Sequence, residues 1–173
     1  MKFDTSIVQT RFESPLGSMI IAATHKGLVG LWFDGQRHLP PELAVAGLWP
    51  SDPNHPVLRG AREQLSEYFA GKRTAFELPL DLAYGTAFQQ SVWQALLKIP
   101  RGGTASYGEV SQRIGKPAAV RAVGAAIGRN PVSIIVPCHR VLGADGSLTG
   151  YAGGLERKIA LLRLEGVTVE GVL

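Results

Sequence analysis

The period of apolar and polar positions changes along the chain, and the change divides it. In the first third, the β-rich runs "SIVQTRF", "SMIIAAT" and "GLVGLWF" are separated by Ser14-Pro15-Leu16-Gly17 and by His25-Lys26-Gly27. Short runs broken by such turn residues predict an antiparallel meander. Residues 38–56, "HLPPELAVAGLWPSDPNHP", are rich in proline and read as an irregular connection. A helical period follows over about Pro56–Ala70, with Val57, Leu58, Ala61, Leu65, Tyr68 and Phe69 on or near one face and Gly71 as the stop. "FELPLDLAYG" reads as an extended linker with a short strand.

From Thr86 onward the period is helical. Thr86 and Gln89 have capping-box spacing, and Phe88, Val92, Ala95, Leu96 and Ile99 follow on one face. Ser106 and Glu109 form a second capping box, opening a short helix that Gly115 ends. Pro117 suits the first turn of a third helix, "AAVRAVGAAIG". Helix, glycine-bearing turn, helix is helix-turn-helix spacing. A last helix, about Leu155 to Glu165, carries Leu155, Ile159 and Leu162 on one stripe. The pattern predicts an N-terminal α/β domain over 1–80, a linker at 81–86 and a mostly helical domain over 87–173.

Composition narrows the setting. The 173 residues are 45% hydrophobic and 18% charged, enough to bury a core. One cysteine excludes an intramolecular disulfide and suits a reducing, cytoplasmic compartment. "MKFDTSIVQTRFE" has no apolar segment of the signal-peptide kind, and no run is long enough to span a bilayer, so no membrane partner is expected. Charge is uneven. Residues 1–85 hold 8 Lys/Arg against 9 Asp/Glu, and residues 86–173 hold 10 against 5. The basic surplus of the second half points to a polyanion, with solubility alone as the plainer reading.

The third predicted helix is unusual in composition. It presents Ala118, Ala119, Ala122, Gly124, Ala125 and Ala126, with Arg121 as the lone long polar group. Small residues suit tight packing inside the domain, and equally close approach to a groove with one arginine reaching inward.

The lone cysteine lies in "IVPCHRVLG". A cysteine after a strand-like run, here Ser133–Val136 and Pro137, is more often a small buried apolar group than a nucleophile. Three features favour the nucleophile. His139 and Arg140 follow it, and cationic neighbours favour a thiolate. Gly143, Gly146, Gly150, Gly153 and Gly154 surround it with flexible chain. Glu165 ends the last helix, where the macrodipole disfavours a carboxylate, so a partner such as an imidazole is expected. Were Cys138 and His139 both extended, their side chains would point to opposite faces. Pairing them needs a turn at Pro137–Cys138 or a bridging water.

"PCHR" at 137–140, preceded by "NPVSIIV" and followed by "VLGADGSLTGYAGGLERK", resembles the O6-alkylguanine-DNA alkyltransferases. "FQQSVWQALLKIPRGGTASYGEV" and "RAVGAAIGRNP" are similar to the same family. The resemblance is dense from about Thr86 to Gly166 and loose before it. It implies a ribonuclease H-like N-terminal domain and a winged-helix-like C-terminal one, with Cys138 behind the recognition helix. It implies direct repair of double-stranded DNA carrying O6-alkylguanine, with O4-alkylthymine as a further candidate, by stoichiometric and irreversible alkyl transfer to Cys138. His139 would act as a base through water, oriented by Glu165. Asn130 would tie the helix-turn-helix to the active-site strand.

The same resemblance gives Tyr107 the task of turning the nucleotide out and hydrogen-bonding the base, with Lys158 polarising it. Arg121 would fill the vacated stack. Backbone groups at Cys138, Val141 and Ala152 would face the guanine, and Ala119, Ala122 and Tyr151 would join the DNA and substrate contacts. The resemblance implies no cofactor and a monomer when free, with cooperative assembly on DNA left open. Some relatives hold structural zinc. His25, His38 and His55 have no cysteine partners and no ligand-like spacing, so no metal is expected. Ala152 departs from the serine or glycine of some relatives, which a backbone donor would tolerate. Two other classes fit a lone thiol less well: a damage sensor, whose relatives replace the cysteine, and a thiol hydrolase, for which no oxyanion-hole signal is present.

Overall fold

Alternating residues in the first three runs build the expected meander. In the computed structural model, which describes residues 3 and 6–169, β1 (Val8–Ser14), β2 (Gly17–Ala23) and β3 (Leu28–Phe33) form an antiparallel sheet in sequence order. Its register pairs Thr10 with Ile21 and Ile20 with Trp32. Side chains alternate between the two faces. Ile20, Ala22 and Trp32 join a cluster with Phe3, Ile7 and Trp49. Met19, Ile21, Leu31 and Phe33 point the other way and are fully buried. Helix α1 (Pro56–Phe69) packs on β1 and β2 and buries Leu58, Ala61, Leu65 and Tyr68. His55 caps it, its Nδ1 accepting from the Val57 amide at 3.3 Å. Gly30 is required by its neighbour: a Cβ there would lie 1.8 Å from the Trp32 ring.

The chain divides into two units, Met1–Gly85 and Thr86–Leu173. In the second, α2 (Ala87–Leu96), α3 (Tyr107–Arg113) and α4 (Val120–Gly128) pack on one another. Both expected capping boxes form, Thr86 with Gln89 and Ser106 with Glu109. Each satisfies two otherwise orphan amides. Buried Trp93 of α2 donates its Nε1–H to the Ala126 carbonyl of α4 at 2.9 Å. Two short parallel strands, β4 (Ala105–Ser106) and β5 (Val141–Leu142), join the start of α3 to the chain after Cys138. Helix α5 (Leu155–Leu164) completes the unit.

Three local expectations differ. Helix α4 starts at Val120, because Pro117 lies in a turn that the Ala119 amide closes on the Lys116 carbonyl at 2.9 Å. On α5 the buried residues are Lys158, Leu161 and Leu162, while Leu155 is exposed. Residues Ser133–Val136 are not a strand but a tight buried turn. Its apolar side chains are buried as a strand's would be, so composition could not separate the two.

Candidate active site

The turn before the cysteine is held by one side chain. Asn130 accepts the Val132 amide on Oδ1 at 3.0 Å and donates Nδ2 to the Val136 carbonyl at 2.7 Å. The Ile135 amide bonds the Ser133 carbonyl, and the Val136 amide bonds the Val132 carbonyl. Every residue from Pro131 to Arg140 is buried, so each backbone group left unpaired would be costly. Ile134 sits at φ 71°. A β-branched residue there is strained by about 1–3 kcal/mol, and such strain gathers at functional sites. Asn130 therefore shapes a loop that would not form unaided.

Pro137 leads from this turn into a single 3₁₀ turn, Cys138–Arg140. This supplies the turn that pairing of a thiol and the next imidazole would need. Cys138 is 6% exposed. Burial pushes its thiol up, opposed by the Asn130 amide and then by the Lys158 ammonium. The cation acting on the sulfur thus comes from α5, not from the neighbouring His139 or Arg140. Lys158 is wholly buried and donates Nζ to the carbonyls of Val141, at 2.6 Å, and Thr149, at 3.3 Å. Burial pushes it down to about 8, with the cysteine's negative form pulling the other way.

His139 and Arg140 turn to Glu165. The imidazole Nε2 lies 2.9 Å from Glu165 Oε2. Arg140 donates Nε to Oε1 at 2.8 Å and Nη2 to Oε2 at 2.9 Å, a two-pronged pair. Its Nη1 donates to the Ile99 carbonyl at 2.6 Å, beyond the end of α2. Burial holds His139 below the usual histidine range, against the pull of Glu165. The neutral ring must donate Nε2–H to the carboxylate, which leaves Nδ1 as a lone-pair acceptor. That Nδ1 is buried and makes no hydrogen bond within the described residues. A buried nitrogen in this state can take a proton.

Helix α4 resolves the two readings of its small residues by face. Val123, Ala126 and Ile127 are buried, whereas Ala118, Arg121, Ala122 and Ala125 are exposed and Ala119 is half-buried. Its open face is therefore small residues around Arg121, with Val120 exposed at the start of the helix. Tyr107, half-buried at the start of α3, bonds the Thr149 hydroxyl at 2.7 Å. No bond joins it directly to Lys158; Thr149 stands between them. Tyr151 and Ala152 are half-buried in the same loop, and Val141 is buried with its carbonyl occupied by Lys158. So Asn130 and Lys158 both act on the Cys138 thiol, His139 and Glu165 pair at 2.9 Å, and Tyr107 reaches the loop through Thr149.

Sequence reasoning missed two members of this array. Arg140 was read only as a charge beside the thiol; the signal for its true partner was already there, a carboxylate stranded at a helix C-terminus. Thr149 left no signal, being one threonine in a glycine-rich loop. The arrangement predicts that Glu165→Gln costs about 3 kcal/mol, because it leaves the buried Arg140 charge without its counter-ion. Urea denaturation should show the drop, and an unchanged midpoint would contradict the ion-pair assignment.

Comparison with known proteins shows the family. The family model for the DNA-binding domain of 6-O-methylguanine DNA methyltransferase matches residues 87–167, and that for its ribonuclease-like domain matches residues 7–82. A methylated-DNA–protein-cysteine methyltransferase of Mycobacterium tuberculosis is 51% identical over 153 residues, covering 88% of each chain. One from Methanosarcina acetivorans is 48% identical over 156 residues, covering 90% of this chain and 96% of the other. The crystal structure of the M. tuberculosis O6-methylguanine methyltransferase superposes with a TM-score of 0.81 at 49% identity, covering 92% of both chains. The M. tuberculosis protein in complex with DNA gives 0.79 at 49% identity, covering 92% of this chain and 91% of that one. With both domain models matched along most of its length, the chain belongs to the O6-alkylguanine-DNA alkyltransferase family.

Proposed function

We propose that this protein repairs double-stranded DNA by moving the alkyl group of O6-alkylguanine to Cys138, once per molecule. One observation carries the reading: a buried imidazole, held on Nε2 by Glu165, directly follows the buried thiol and keeps its Nδ1 without a hydrogen bond among the described residues. Cys138 gives up its proton toward His139 Nδ1, through a water or directly, while Glu165 holds the ring in the tautomer that leaves Nδ1 open. Lys158 stabilises the sulfur's negative charge. The S–C bond forms as the C–O6 bond breaks, and the electron pair departs on the purine, which takes a proton and leaves as guanine. The thioether has no route back to a thiol, so no second turnover follows and no cofactor is called for.

The target oxygen is buried in a duplex, so the nucleotide must be turned out. The open Ala/Gly face of α4 suits close approach to a shallow groove, with Arg121 reaching into the space left by the base. Tyr107 faces the extruded base, and the basic surplus of residues 86–173 supplies phosphate contact. Half-buried Ala152 and Tyr151, with the chain at Val141, line the loop side.

Mass spectrometry after incubation with O6-methylguanine duplex tests the whole reading. One added methyl on Cys138, and no more with excess DNA, is expected. A mass that never changes would mean a sensor, and steady turnover with a free thiol would mean a hydrolase. Arg121→Ala should slow repair of duplex DNA at least about tenfold, equivalent to about 1.4 kcal/mol of lost unstacking support. The same variant should react normally with free O6-methylguanine, and equal losses on both would exclude the stacking role.

The coupled sulfur and ammonium predict a pH profile. The reactive pair is thiolate with ammonium. As pH rises toward the Lys158 value of about 8, the pair gains population. Above it the ammonium loses its own proton, and the pair loses population. Methylation by the free base should therefore climb to a maximum near pH 8 and fall beyond it. Lys158→Met should push the climb to higher pH, since burial then raises the thiol with no cation to oppose it. An unmoved profile would remove Lys158 from the chemistry.

A further inference from the structure

Thr149 bonds at both ends, to groups the reaction is expected to use. Its hydroxyl lies 2.7 Å from the Tyr107 hydroxyl, and its carbonyl accepts the Lys158 ammonium at 3.3 Å. The same ammonium donates to Val141 at 2.6 Å and acts on the Cys138 sulfur. The Tyr107 ring also lies against α4, where a Cβ added at Gly124 would be 3.7 Å from its Cδ1. Tyr107 is thus fixed at the ring by the recognition helix and at the hydroxyl by the loop.

We propose that Thr149 is a positioning residue for alkyl transfer, acting through Tyr107. The inference rests on the alkyl-transfer reading above. Each hydroxyl has one proton, so the pair has two arrangements. If Tyr107 donates to Thr149, its proton is spent. If Thr149 donates to Tyr107, the phenol keeps its own proton for the purine and is polarised into a better donor. Negative charge develops on the purine only as the C–O6 bond breaks. The bond from Tyr107 therefore strengthens in the transition state more than in the bound complex. The Lys158 bond to the Thr149 carbonyl keeps the loop where the hydroxyl can do this. Losing the hydroxyl should lower the rate of transfer and spare DNA affinity.

The test is single-turnover methyl transfer from O6-methylguanine duplex at varied DNA concentration. Thr149→Val keeps shape and removes the hydroxyl. It should lower the saturating rate about tenfold, the low end of what losing a supporting hydrogen bond to a reacting group costs. The DNA concentration giving half that rate should stay as in the wild type, and Thr149→Ser should restore the rate. In a Tyr107→Phe background, Thr149→Val should add no further loss. Iodoacetamide should modify Cys138 in Thr149→Val at the wild-type rate. An undiminished rate in Thr149→Val, or the same loss in the Tyr107→Phe background, overturns the proposal. Altered iodoacetamide reactivity overturns it too, since the loop would then have failed as a whole. A wild-type protein that never gains a methyl would instead overturn the alkyl-transfer reading itself.

Discussion

A carboxylate buried at the negative end of a helix is the constraint from which the site follows. Glu165 is 6% exposed at the C-cap of α5. Desolvation and the helix dipole both oppose its charge there. Arg140 answers with two parallel hydrogen bonds and His139 with a third. These partners are consecutive residues, so the chain must turn at Cys138–Arg140 to present both to one carboxylate. The turn in turn fixes the cysteine between them and Pro137. With Arg140 neutralising Glu165, the imidazole need not be charged, and burial keeps it neutral. Its remaining nitrogen keeps an open lone pair because the first one is committed.

The sulfur is managed by a different set of forces. Enclosure protects a thiol from solvent and raises it, which by itself would make it unreactive. Lys158 reverses part of this from a helix away, and it is itself kept protonatable by two backbone carbonyls. Neither group would be stable in its reactive form alone. The ion pair they form on proton loss is stronger for being dry. The Ile134 strain and the Asn130 bonds belong to the same problem, since an apolar wall around the sulfur can be built by a loop only if every amide and carbonyl in it is satisfied.

Much of this was readable from residues in order. The meander, α1 and both capping boxes follow from local spacing, because each depends on residues within one turn or one hairpin. Glu165 announced itself as a charge in the wrong place. The misread segment, Ser133–Val136, failed for a physical reason: a buried turn and a buried strand demand the same apolar side chains. What distinguishes them is the long reach of Asn130 to Val132 and Val136 and one left-handed isoleucine. The exposure of Leu155 depends on tertiary packing in the same way, whereas the late start of α4 comes from the local turn at Lys116–Ala119. Arg140 and Thr149 were hidden because their partners, Glu165 and Tyr107, are distant in sequence.

A site of this kind suits a reaction that happens once. An enzyme with repeated turnover must restore its nucleophile and release product from the same cavity. In the proposed reaction the nucleophile is consumed, so nothing in the site needs to reverse. A neutral, enclosed thiol can wait without reacting, and in the proposed reaction the cost of charging it falls only when an alkylated base lies beside it. After transfer the sulfur can no longer carry charge, so the attraction of Lys158 for it, which favours the first reaction, has no second use.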